Sequence, residues 1–220
     1  ERCTGVGHEE QTGAGGNSGA LYFDGMNSDG IVYTICGSVF KNNRAQELGG
    51  ALFRTPNVDM RDMLIDRCVF DGNTAILGGV SFIKQNNLVV RQSTFMNNRA
   101  GIDIEGNNVG GAIGGLWVNE GSIDVENSTF YDNSPSGLTV EGTGSTAVNS
   151  TFVKSRIDGT FNIRNSLFLD MTCNDTQAGE NNLQWPQGGE CAEGTTFANP
   201  QTEDIQDKGG PTPTIMPSSD

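Results

Sequence analysis

Helical patterning is missing from this chain. No segment shows apolar residues at helical spacing with a capping pattern, which removes helical and α/β architectures. No apolar run is long enough to cross a bilayer, so no membrane span is expected. CxxC pairs are absent, which argues against thiolate zinc sites. Histidine occurs once, as His8, in a Gly-rich stretch beside Glu9 and Glu10. Without a Ser or Cys partner motif it makes no case for a nucleophile–base pair and reads as an exposed terminal residue. Bases are scarce: 13 Lys and Arg stand against 27 acids, and the net charge of −14 disfavours nucleic acid and anionic lipid. That charge suits solubility outside a cell. It is uneven, since residues 101–150 hold seven acids and no base, whereas 41–100 hold eight bases and five acids.

What the chain does have is a recurring unit. A Ser or Cys stands two residues before a Phe in Ser38-Val39-Phe40, Cys68-Val69-Phe70, Ser93-Thr94-Phe95, Ser128-Thr129-Phe130, Ser150-Thr151-Phe152 and Ser166-Leu167-Phe168. The phenylalanines are 30, 25, 35, 22 and 16 residues apart. Intervals of that order describe one supersecondary unit per repeat, stacked on its neighbours. Five residues before each Phe stand Ile35, Ile65, Val90, Val125, Ala147 and Ile163. Seven before stand Tyr33, Met63, Leu88, Ile123, Ser145 and Phe161. Apolar positions two apart mark a strand with one buried face. Three before each Phe the residues are Gly37, Arg67, Gln92, Asn127, Asn149 and Asn165, which predicts an Asn-rich bend with side chains stacked from rung to rung. Asn recurs three residues after the first four, at Asn43, Asn73, Asn98 and Asn133. Paired glycines at Gly49-Gly50, Gly78-Gly79 and Gly110-Gly111 allow tight corners and close backbone approach.

These columns predict an all-β, single-stranded parallel β-helix of about six rungs. An antiparallel sandwich also has many short strands, but does not keep one residue type in register six times. The domain reading is an N-terminal segment at 1–14, the solenoid at 15–172, and a loop with tail at 173–220. A narrow core explains the low apolar content of 35% and the 31 glycines. Of five cysteines, Cys68 occupies the Ser column and reads as a small core residue. Cys173 and Cys191 flank a polar loop after the last rung and suit a disulfide, and Cys3 with Cys36 is a second candidate pair. This usage favours an extracellular or other oxidising location.

Two family resemblances follow from these motifs. Gly49-Gly50-Ala51-Leu52 and Gly110-Gly111-Ala112-Ile113, with Phe40-Lys41-Asn42-Asn43, Phe70-Asp71-Gly72-Asn73, Phe95-Met96-Asn97-Asn98 and Phe130-Tyr131-Asp132-Asn133, resemble the repeats of the chlamydial polymorphic outer-membrane proteins. Residues 159–217 resemble the end of bacterial secreted right-handed β-helix repeat proteins. The matching elements are Asn165-Ser166-Leu167-Phe168, the loop from Cys173 to Cys191, and Lys208-Gly209-Gly210-Pro211-Thr212-Pro213-Thr214. The resemblance implies a right-handed, pectate-lyase-like solenoid and an exported, cell-surface segment of a larger protein. It also implies an adhesive or stalk role with a surface glycan or protein as partner.

Polysaccharide-cleaving enzymes use the same fold, so chemistry is the rival reading, with a lyase before a hydrolase. A lyase needs carboxylates to hold Ca2+ or neutralise a uronate, and a cationic base. The candidates are Asp59, Asp62, Asp66 and Arg91. In register, Asp66 stacks on Arg91 and Arg91 on Glu126, which also describes an inter-rung charge ladder. Asp103 and Glu105, in an Asn/Gly-rich insertion, are weak Ca2+ ligands off any known spacing; no other cofactor is implied. For ligand binding the candidates are Trp117, Arg61 and Arg91. Trp117 reads equally as a sugar-stacking platform or as a core residue.

Overall fold

The computed structural model describes residues 4–5, 16–25, 32–56, 61–111, 113–171, 173 and 175–218. Every pairing between the strands of the four sheets is parallel, and three long sheets run the length of the stack. Sheet 1 comprises Leu21–Gly25, Leu52–Pro56, Ser81–Lys84, Leu116–Asn119, Leu138–Glu141 and Ile157–Asp158. Sheet 2 has seven strands, from Tyr33–Cys36 to Ala178–Glu180, and sheet 3 has eight, from Val39–Lys41 to Thr195–Phe197. A short fourth sheet contains Thr4–Gly5, Arg44–Ala45, Thr74–Ala75 and Arg99–Ala100. The chain visits the long sheets in turn, which makes the protein a parallel β-helix. No helix of the described residues is long and apolar enough to cross a membrane.

The phenylalanine register predicted from sequence holds. Phe40, Phe70, Phe95, Phe130, Phe152 and Phe168 stack face to face at centroid spacings of 4.7, 5.0, 4.8, 5.1 and 5.8 Å. That spacing is the strand separation itself, so one ring per rung fills one layer of the core. The columns five and seven residues earlier line sheet 2 and meet the rings from the other side: Ile65, Val90, Val125 and Ile163 are fully buried, as are Met63, Leu88 and Ile123.

The serine two residues before each Phe has a definite task. Its hydroxyl donates to the carbonyl two residues earlier, as in Ser93 to Arg91 at 2.7 Å and Ser128 to Glu126 at 2.9 Å. The same oxygen accepts the amide of the preceding rung: Cys68 N–H donates to Ser93 at 3.0 Å, Ser93 to Ser128 at 3.2 Å, and Ser128 to Ser150 at 3.3 Å. Amides that turn inward at the corner therefore keep partners in the core. Cys68 heads this series, fully buried, and burial pushes its thiol pKa up.

The stacked asparagines belong to a different column from the one expected. Arg67, Gln92, Asn127, Asn149 and Asn165 do not form a side-chain ladder; they are exposed corner residues with φ of 46–52°. Asn tolerates that left-handed conformation better than most residues, which accounts for its recurrence. The true ladder lies three residues after each Phe. Asn43, Asn73, Asn98 and Asn133 are buried, and each carboxamide donates to the next at 2.8–2.9 Å, ending on Ser155 at 3.2 Å. Asn98 and Asn133 also donate to Phe70 O and Phe95 O, both at 2.9 Å. At the glycine pairs, Gly49 has a φ of 66°, and a Cβ on Gly50 would lie 2.1 Å from Gly79 O. No side chain fits there.

Candidate ligand-binding surfaces

Three outer faces carry the exposed side chains. On sheet 2, strand alternation sends Asp62, Leu64 and Asp66 outward from one strand, and register carries each column on to its neighbours. Asp66 lies beside Arg91, and Arg91 beside Glu126, as the spacing predicts. The pairing is unequal. Arg91 reaches Glu126 at 3.6 Å, while Asp66 takes Arg67 Nε at 2.8 Å, which holds the Arg67 guanidinium pKa above its usual value. Further along, Arg164 meets Glu180 at 3.4 Å, Thr146 donates to Asp124 at 2.7 Å, and Asn87 donates to Asp62 at 3.3 Å. Asp66, Arg91, Gln92, Glu126 and Asn127 together line a depression of about 310 Å3.

The proposed lyase set is only partly assembled. Asp62 and Asp66 are four residues apart on one strand, roughly 13 Å, too far to share an ion or a proton. Asp59 lies outside the described residues, as does the side chain of Arg61. Asp103 is engaged by the side-chain and backbone N–H groups of Asn107, at 2.9 and 2.7 Å, and the side-chain contact foremost holds its carboxyl pKa below the ordinary value. Glu105 is exposed in the same turn. No cluster of three His, Cys, Asp or Glu that could hold a metal occurs among the described residues.

Sheet 1 presents an aromatic column outward: Tyr22, Phe53, Phe82 and Trp117, in register. Leu48, Leu77 and Ile113 pack against it. Trp117 thus faces away from the main core and is still only 8% exposed, edge-on to Phe82 at 4.5 Å. Of its two sequence readings, platform or buried residue, this burial favours the second. Its indole N–H is buried without a hydrogen-bond partner among the described residues. One inward residue of this sheet went unnoticed in the sequence: Arg54 is fully buried, its guanidinium 4.2 Å from the Tyr33 ring centroid. Burial lowers its pKa, and the Tyr33 side chain opposes that shift.

The middle of the outer face of sheet 3 is covered, while Val39 at one end and Trp185 at the other stay exposed. Residues 201–218 form an antiparallel hairpin, with bridges Thr202–Pro217 and Gln206–Thr214, that runs back across the rungs. Thr94 Oγ1 donates to Pro213 O at 2.6 Å and Thr212 Oγ1 to Gln92 O at 3.1 Å. Where the hairpin begins, it leaves a cleft of about 380 Å3 against this sheet. Cys173 and Cys191 form the expected disulfide, beside the same end of the stack. Cys36 is a free, exposed cysteine, and its candidate partner Cys3 lies outside the described residues, like His8.

A family model described as the right-handed β-helix region matches residues 16–183. The chain belongs to that family. The match covers the stacked columns of this β-helix and supplies its hand. Neither the curated proteins nor the solved structures give a match to it.

The exposed residues that pattern reading missed are those of the sheet 3 cleft. Trp185 stands at its floor, 40% exposed, in register with Leu169 of the β-helix. The only signal for it was a second tryptophan between the two disulfide cysteines.

Proposed function

We propose that this β-helix is a non-catalytic module of an exported, surface-displayed protein, holding glycan or protein ligands against its outer face. One observation carries the reading. The outward carboxylates of sheet 2 are spread along and across the strands, Asp62, Asp124 and Glu126 each engaged by a neighbouring strand and Asp66 by Arg67 at its own corner. Such ladders tie rungs together and present a regular polar surface, whereas hydrolytic or eliminative chemistry needs convergent groups. The resemblance to surface adhesins and secreted repeat proteins supports the location, and the Cys173–Cys191 disulfide is compatible with an oxidising compartment. Arg91, exposed at the centre of the polar column, is the proposed ligand contact on this face.

A second reading rests on the depression that gathers Asp66, Arg91 and Glu126. A carboxylate, a guanidinium and a second carboxylate on successive rungs are the parts a uronate lyase would use, with Ca2+ as its cation. One experiment separates the two. Acidic and neutral polysaccharides incubated with the protein and Ca2+ are expected to yield no new reducing ends and no unsaturated-uronate absorbance. Retention on a glycan array or an extracellular-protein array is expected to fall in Arg91→Ala. Turnover that disappears in Asp66→Asn or Arg91→Lys would establish the lyase and discard the binding module.

A further inference from the structure

The geometry points to the cleft under the C-terminal hairpin as a binding site for an uncharged oligosaccharide. Its floor is one outward column of sheet 3: Tyr131, Val153, Leu169 and Trp185, in register on four successive strands. Three rung steps separate the two aromatic ends, roughly 14 Å. Trp185 is 40% exposed here, whereas Val153, Leu169 and Thr129 on the same face are buried. A flat indole open to a cleft, with a partly exposed tyrosine at the far end of the same column, suits the apolar faces of linked sugar rings.

The walls supply the polar part. Lys154 and Asp170 follow Val153 and Leu169 at the corners, with φ of 47° and 50°, and Gln201 and Asp204 face them from the hairpin. The side chains of these four make no hydrogen bond or ion pair with other described residues. Together they offer a cation, two carboxylates and an amide, which suits hydroxyls that donate and accept at once. Glu203, also in the wall, is taken by Lys208 at 2.7 Å. One free base against two free acids leaves the lining net negative, and this disfavours uronates and sulfated sugars. The inference rests on the reading of the chain as a binding module and deepens it at a second surface, away from Arg91.

The two tryptophans make the test direct, because Trp117 is buried and Trp185 is not. In a Trp117→Phe background, cellohexaose or maltohexaose should shift Trp185 emission to the blue in a saturable way. In the unmodified chain, calorimetry should show that Trp185→Ala weakens the same binding by about tenfold or more. Asp170→Ala and Gln201→Ala, both at exposed positions, should weaken it with unchanged thermal melting, and Glu141→Ala, an exposed change on sheet 1, should leave it alone. No saturable response to either neutral hexamer, or tighter binding of hexagalacturonate, overturns the inference. Binding lost in Arg91→Ala but kept in Trp185→Ala also overturns it, while leaving the binding module in place.

Discussion

Sheets 2 and 3 are built on the same rungs, with the same spacing, and their outer faces differ completely. Sheet 2 meets solvent with Asp62, Asp66, Arg91, Asp124, Glu126 and Arg164, knit sideways into pairs. Sheet 3 turns outward Thr94, Thr129, Val153 and Leu169, all buried, because the hairpin 201–218 lies over them. A β-helix has one obligatory apolar face, the inner one. When a strand is apolar on both faces, as in Leu167-Phe168-Leu169, something must lie on the outside. The interesting surface is then the edge of that cover, where apolar floor and polar wall meet.

That contrast can be broken in order of effect. Phe95→Ala removes a ring common to every rung and should cost ~3–5 kcal/mol in chemical denaturation; a loss under about 1 kcal/mol would refute the register on which both faces depend. Deleting residues 199–220 should cost about 2–4 kcal/mol, because Val153 and Leu169 lose their cover. The same truncation should raise binding of a hydrophobic dye, and unchanged dye binding would show that sheet 3 needs no cover. Asn98→Ala strips the acceptor from the Asn73 amide and carboxamide, so a loss of about 2–3 kcal/mol is expected. On sheet 2, Glu126→Gln should change stability by less than about 1 kcal/mol, with the difference vanishing at high salt. A larger, salt-independent loss there would mean that the polar column carries structural weight.

Much of the inner architecture was legible because it repeats. The Phe column needs one flat ring per rung, and the residues five and seven before it must be apolar to face that ring; these constraints recur at each turn. The Asn at the bend was assigned the wrong task, since two Asn columns lie six residues apart and composition does not say which is buried. Asn127 is there for its left-handed φ and Asn98 for its carboxamide. Trp117 stayed open between two readings for a different reason. It is buried on the outer side of its strand by Phe82 of the neighbouring rung, with Leu48, Leu77 and Ile113 packed against the same cluster, a cover that its own strand does not announce.

By itself, then, the sequence determined the parallel stack, the strand register, the Phe layer, the charge column from Asp66 to Glu126 and the cysteine pair 173–191. All of these are set by the strand period or by residues close in the chain. Only the tertiary structure decided which outer face stays open. Thr94 meets Pro213 and Gln92 meets Thr212 across about 120 residues of chain. No local period encodes such a contact, because its two sides belong to elements with unrelated spacing. The cleft at Trp185 exists only because those distant segments pack together.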